Sequence, residues 1–460
     1  MRISGTGGDP RTAPAVALAA GVVLSTAAGA MLAEPELGML AVVLVVAALV
    51  CTAALAVPLH LLVLGLVATL PFADWQPPGS PVSISVLAAM TACGRALVEV
   101  GTLRPLQLRS VGPWLALPLL LVPSAFSGAA GFGGRAQLFF SMASWLAIAL
   151  LVGHFLTESR WPLIRAVLVA EVAIAVVIAA AELVAQRWLV PFPDPPQTQV
   201  EFFFGFFRPR SITLSPYALG EFLAFTAPIV WYQLAAAFRR DRGRLPLWLM
   251  LTAGQLAIIV ATLSRKSLWQ LGVAIAVFLV ASLADRRARR SLLPVAVALA
   301  VAVVAAVTLN GPALGERLRS STSAEGVSLR VDTFNDALTI GTSTLPLGAG
   351  LGNFVATSTD RYGEQLAAYN SFAEAFADSG LLGLAVVLLL VAIPFRLAAA
   401  APAVHVPPRA VVLATMAGLV ALAAVESSIW RKSLAFSAGL CLAVAANARA
   451  ARTQQGATAR

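Results

Sequence analysis

The chain has 460 residues, 59% of them apolar and only 12% charged, with a formal net charge of +10. A soluble domain of this length carries roughly a quarter of its residues as charges, so the composition excludes one. The Arg clusters sit in short segments between apolar runs, which points the positive charge to membrane topology rather than to nucleic acid.

Apolar windows recur from end to end at the length a bilayer requires. The predicted spans are 13–31, 39–57, 58–73, 82–98, 113–127, 138–156, 163–184, 217–237, 245–263, 267–284, 292–309, 380–398, 409–426 and 433–449. The short windows 58–73 and 113–127 are tilted or re-entrant. The expected fold class is all-α: a polytopic integral membrane protein of about 11–14 transmembrane helices with one large external loop. The expected organisation is a single membrane domain over 1–460. It divides into a helix group 13–190, a loop 191–215, core helices 217–309, a long loop 310–379 and C-terminal helices 380–449. The opening "AVALAAGVVLSTAAGAMLA" resembles a secretory signal, but further spans follow at once and it reads as a retained first helix. Cys51, Cys93 and Cys441 fall inside apolar runs and read as small core residues, with no disulfide framework.

Alternating the spans from a cytoplasmic N-terminus places Arg104, Arg109, Arg160, "RRDRGR" (239–244), "DRRARR" (285–290), Arg396, Arg409 and the C-terminus inside. This is the positive-inside pattern of a multi-pass cytoplasmic-membrane protein. The external loops include "AEPEL" and the acidic-leaning 310–379.

Two basic pairs break the pattern. Arg208 and Arg210 in "GFFRPRSITLSP" precede the span at 217, and Arg265 and Lys266 in "ATLSRKSLWQL" join two spans with almost no loop. Both pairs fall outside. Cations there either hold an anion, for which a phosphate headgroup is the obvious choice, or snorkel to lipid phosphates and cap helix ends. Intramembrane charges add Arg95, Glu171 and Glu221, of which Glu221 lies one turn inside the external surface. A charge at the bilayer centre costs about 3 kcal/mol, so each is expected to face protein or water.

In the long loop, "VSLRVDTFNDALTIG" carries Val327, Val331, Phe334 and Leu338 at helical spacing, with Arg330, Asp332 and Asp336 elsewhere. It reads as an amphipathic helix lying on the membrane or capping a cavity. "PLGAGLGNF" supplies Gly348, Gly350 and Gly352, a tight turn whose amides could also approach a phosphate. In "AAYNSFAEAFADSGLLGL", Tyr369 is followed by Asn370, Glu374 and Asp378, which step by four and share a helix face. That stripe is a solvated helix end or a cavity wall.

These segments, in this order over about 200–396, resemble the superfamily of O-antigen ligases and O-antigen polymerases. The segments are "RPRS…SPYALGEFLAFTAPI", "TLSRKSLWQL", "SLRVDTFNDAL…PLGAGLGNF" and "YNSFAEAFADSGLLGL". The resemblance implies an envelope glycosyltransferase with a cavity at the outer membrane face, using an undecaprenyl-diphosphate-linked glycan donor and a glycan or lipid acceptor. It implies no cofactor and no metal. It further implies that Arg210 (or Arg208) and Arg265 grip the diphosphate, while Lys266 either assists or anchors its helix; Arg330 is counted with the expected substrate-binding residues. A guanidinium suits this task because it binds two phosphate oxygens as negative charge grows on the leaving group. Asn370 would orient a sugar or the base, or cap a helix. Ligases of the family carry His where this chain has Tyr369, in the pattern His-Asn-Ser. Tyr is a poor base at neutral pH, and His60, His154 and His405 lie on the inner side of the predicted map. Either a carboxylate (Glu221, Glu374 or Asp378) then does the base work or the reaction needs little base help, and the polymerase branch is favoured over the ligase branch.

Overall fold

The computed structural model describes residues 56–72, 83–98, 132–156, 160–191, 202–203, 205–283, 324–355, 368–401, 407–426 and 431–458, with isolated positions at 52 and 75 and between 295 and 311. The expected spans 13–31 and 113–127, most of 39–57, the clusters at 104–109 and 285–290, "AEPEL", Cys51 and His405 lie outside the described residues.

The described chain is helical. Its elements are α1 Leu59–Ala68, α2 Ile84–Val98, α3 Phe132–Phe155, α4 Trp161–Ala185, α5 Pro216–Arg240, α6 Leu245–Ala261 and α7 Arg265–Leu283. They continue with α8 Ala324–Ser343, α9 Ser371–Ala399, α10 Arg409–Ala423 and α11 Lys432–Thr458. A two-residue hairpin pairs β1 Phe202–Phe203 antiparallel with β2 Phe206–Phe207. Five of the described helices are long and apolar enough to cross a membrane: α4, α5, α6 with its preceding turn, α7 and α9. The expected span 58–73 is shorter than drawn, because α1 stops at Ala68 and Leu70–Phe72 form a 3-10 turn around Pro71.

α5 is the centre of the bundle, and it is a telling choice. It is the least apolar of the five, yet 83% of its apolar window is buried against 33–39% for the others. A helix surrounded by protein can carry Glu221, Thr226 and Gln233, all buried here. A helix facing lipid would leave such groups unsatisfied. The outer helices do the reverse and expose aliphatic side chains, among them Ile174 and Val177 of α4, Val280 of α7 and Leu388 of α9. Around α5 the core is closed by large rings packed edge to face. Phe225 meets Phe436 of α11 at 5.8 Å, and Trp231 meets Phe278 of α7 at 5.6 Å.

α9 is broken. Ser379 and Gly380 leave helical geometry, Gly380 with φ +62°, so a short helix over 371–378 precedes the apolar stretch that sequence patterning starts at 380. Glycine is required at this break: a Cβ on Gly380 would lie 2.0 Å from the Pro346 carbonyl oxygen. The same contact seats the glycine turn of the long loop. The amides of Ala349 and Gly350 donate to the carbonyls of Ala377 and Asp378 at 2.9 and 2.8 Å.

α8 is helical as its sequence indicates, and the face that it packs on protein is a different one from the apolar stripe of Val331 and Leu338. Thr333, Ala337 and Gly341 are buried, with Phe334 and Ile340 partly so, while Val331 and Leu338 are exposed. The small residues win because α8 lies close against α9; a Cβ on Gly341 would lie 2.4 Å from the Phe376 ring.

Candidate functional site

The sequence-selected residues converge on one end of the bundle: the C-terminal ends of α4, α6 and α10 and the N-terminal ends of α5, α7, α9 and α11. At its centre lies a cavity of about 270 Å³ lined by two kinds of surface. Leu70, Pro71, Leu214, Ala218, Phe222 and Phe225 supply the apolar part of the lining; Glu221, Lys266, Arg431 and Lys432 supply the charged part, with Tyr217 and Ser215 also present.

α5 sets the register of this lining. Ser215 caps the helix by accepting from the Ala218 amide at 3.0 Å, and Pro216 occupies the first turn. From there Ala218, Glu221, Phe222 and Phe225 recur at helical spacing on one face. α7 starts from a turn of three residues. Leu263 takes φ +52°, and the Ser264 hydroxyl shares a 2.7 Å hydrogen bond with that of Ser267 and accepts from its amide. This turn answers why two cations stand between apolar runs with no loop: it drops Lys266 onto Glu221. The Lys266 ammonium is 2.8 Å from one Glu221 oxygen and 3.1 Å from Glu426. Arg431 pairs with the other Glu221 oxygen. A carboxylate that is 7% exposed thus has both oxygens held by cations, which offsets its desolvation.

The approach of α5 to α7 depends on Gly220. A Cβ there would lie 2.6 Å from the Ser267 hydroxyl and 2.8 Å from that of Thr262. Gly220→Ala is expected to push the two helices apart and cost about 1–3 kcal/mol. A lowered thermal midpoint in detergent would register it, together with loss of the Lys266–Glu221 contact.

The loop 205–215 forms the second layer. Arg208 is buried; its Nε donates to the Thr262 carbonyl at 2.8 Å and its guanidinium stacks 4.4 Å from the centre of the Tyr217 ring. The Lys266 ammonium lies 5.3 Å from the same ring, so Tyr217 joins the loop to the cavity wall by packing against a cation of each. Arg210 is also buried, but it faces the other way. It stacks 4.2 Å over Trp188 and donates to the Val190 carbonyl at 2.7 Å. The hub of this loop is Glu182, fully buried near the end of α4. Its carboxylate accepts from the amides of Leu189, Arg210 and Ser211 at 3.0, 2.9 and 2.8 Å.

Arg210 and Arg265, which the resemblance expects to grip one diphosphate, stand apart from this cavity. Neither lines the cavity. Arg210 is committed to the loop's own fold, and Arg265 is half-buried at the first position of α7. The cations that do line it are Lys266, Arg431 and Lys432. Arg431 and Lys432 are the residues that sequence reading missed. The signal was there: the same alternation of spans puts "WRK" at 430–432 outside, a third exception to the positive-inside pattern. Glu182 was legible too, as a carboxylate inside the expected span 163–184.

The long loop closes against the site from α9. Asn370 is a helix cap: its Oδ1 accepts from the amides of Phe372 and Ala373, and its Nδ2 donates to the Ala424 carbonyl at 2.9 Å. The Ser371 hydroxyl donates to the Glu426 carbonyl at 2.8 Å. Together they hold Glu426 where it can meet Lys266. Tyr369, at φ +50°, lies under the Arg330 guanidinium at 4.8 Å and so ties α8 to the start of α9. Glu374 is half-buried in the first turn of α9, where a carboxylate complements the helix dipole. Asp378 points elsewhere. Its carboxylate accepts from the amides of Gly352 and Phe354 at 2.8 and 2.9 Å. Of the glycine-turn amides that could have met a phosphate, that of Gly352 meets this internal anion, and those of Gly348 and Gly350 donate to the carbonyls of Thr344 and Asp378. Asn370 and Asp378 share a spacing but serve different neighbours, so the stripe does not form one wall.

Among the described residues, no cluster of His, Cys, Asp and Glu could hold a metal ion. What the cavity can do is bind a group that has both an anionic and an apolar part. No protein-family model and no curated protein matches the chain.

Proposed function

We propose that the chain is an envelope glycosyltransferase that joins oligosaccharide units carried on undecaprenyl diphosphate, at the external face of the cytoplasmic membrane. One observation carries the reading: a single cavity is lined both by the cations Lys266, Arg431 and Lys432 and by the apolar side chains of Leu70, Leu214, Phe222 and Phe225. A polyprenyl diphosphate has that polarity, with a charged headgroup on a hydrocarbon chain. The cations would hold the diphosphate and stabilise the charge that it gains as the sugar–phosphate bond breaks. The motif order over 200–396 supports the same reading, as does the span map of about 11–14 helices with both termini inside. On that map every cavity element ends at the external surface.

Polymerase chemistry is the better fit. Tyr369 stands where the ligases carry His, and its ring packs under Arg330, an anchoring role rather than that of a base. Of the candidate carboxylates, Glu221 alone lines the cavity.

The test is direct. The purified protein in nanodiscs, given an undecaprenyl-diphosphate-linked oligosaccharide, is expected to extend it without an ion gradient or added metal. Movement of the substrate across the bilayer without extension would overturn the proposal in favour of a transporter. In cells, removal of the gene is expected to leave single lipid-linked repeats. Accumulation of long lipid-linked polymer instead would indicate transfer of finished glycan to an acceptor.

A further inference from the structure

The cavity already contains an anion. Glu221 lines it, is 7% exposed, and has one oxygen 2.8 Å from Lys266 and the other paired with Arg431. Lys266 also reaches Glu426 at 3.1 Å, and Lys432 lines the same cavity. Two cations clasping the two oxygens of one carboxylate is the arrangement that two oxygens of a phosphate would require. The pair is not walled off: the side chains of Lys266 and Arg431 keep 20% and 25% of their exposure. An incoming anion can therefore reach both cations from the open side.

We propose that Glu221 is a built-in counter-anion that keeps the place of a diphosphate. An entering headgroup takes Lys266 and Arg431 from it, and the released carboxylate then serves as proton acceptor in the same cavity. The inference rests on the transferase reading given above and adds to it the order of events. While the site is empty, Glu221 has both oxygens engaged and is a poor base. Once the diphosphate holds the cations, Glu221 is free beside the reacting sugar. The acceptor hydroxyl oxygen bonds to the anomeric carbon, and the bond from that carbon to the diphosphate oxygen breaks. The lipid diphosphate keeps the electron pair, and the hydroxyl proton passes to Glu221.

The experiment measures binding of farnesyl diphosphate to the full-length protein in nanodiscs, with inorganic pyrophosphate and farnesol as separate arms. Glu221→Gln removes the competing charge and is expected to bind farnesyl diphosphate about tenfold tighter than the unaltered chain while losing glycan extension. Glu221→Asp is expected to recover part of the extension. Arg431→Ala is expected to bind about tenfold more weakly. Farnesyl diphosphate is expected to bind at least tenfold tighter than pyrophosphate, with farnesol failing to compete. Equal affinities for the two diphosphates would assign the site to a free anion and overturn the lipid part. Unchanged or weaker binding by Glu221→Gln overturns the exchange. If that variant does not elute as a single species, unchanged binding by Arg431→Ala overturns it instead. The two readings fail separately. Extension by the unaltered chain without tighter binding by Glu221→Gln removes only the exchange. The expected binding pattern with no extension removes only the transferase.

Discussion

Glu182→Ala is expected to be among the most destabilising single substitutions in the chain, at about 4 kcal/mol or more. The carboxylate is fully buried and is the acceptor for three backbone amides of the loop that follows α4. Alanine would leave those donors without an acceptor at a protected position, and each such loss costs about 1–3 kcal/mol. The damage would spread along a defined route. The Trp188 indole donates to the Arg208 carbonyl at 2.9 Å, Arg208 stacks on Tyr217, and Tyr217 lines the cavity. Glu182→Gln keeps one acceptor oxygen and is expected to lose less. The checks are the thermal midpoint in detergent and limited proteolysis across 188–215. An unchanged midpoint and an intact loop in Glu182→Ala would mean that the hub does not hold the loop.

Lys266→Ala is expected to lower glycan extension by about a hundredfold or more, while Arg265→Ala costs less than about tenfold. The two residues are neighbours in sequence, and by guanidinium chemistry Arg265 is the natural choice for a diphosphate. The cavity favours its neighbour instead, because Lys266 lines it and contacts Glu221, whereas Arg265 is not part of the lining. Removing a preorganised donor from a developing anion typically costs about 10²–10³ in rate. Lys266→Arg keeps the charge and is expected to recover part of the activity. Rates of extension in nanodiscs decide the matter, with binding of farnesyl diphosphate as a second readout. A larger loss in Arg265→Ala than in Lys266→Ala would return the site to the arrangement that sequence alone suggests.

Helix positions were legible because the signal for them is local. A run such as 163–184 must be helical and apolar wherever it packs, and α4 covers Trp161–Ala185. The break of α9 at Gly380 coincides with the point where the apolar run begins, since glycine there meets the Pro346 carbonyl. Packing faces were less legible. The spacing of Val331 and Leu338 gave α8 an apolar face, to lie on the membrane or cap a cavity, but not the face that packs on α9. Small residues allow closer contact between helices, and Ala337 and Gly341 face α9 instead.

The site residues divide along the same line. The sequence by itself determined a membrane-type helical chain and a set of charges out of place on the expected map, Glu221, Arg208 and Lys266 among them. These readings need only composition, spacing and the cost of moving a charge into hydrocarbon. Which charges share a cavity was decided by tertiary structure alone. Glu221, Lys266 and Arg431 belong to three different helices or their approaches, up to 210 positions apart in the chain. Their meeting depends on how closely α5 can pass the start of α7 at Gly220. Arg210 and Asp378 are no less conspicuous in the sequence, yet one turns to Trp188 and Val190 and the other to the glycine turn. Coulomb attraction and hydrogen bonding act over a few ångströms, and separations on that scale are set by packing between helices, to which spacing along a single helix is blind.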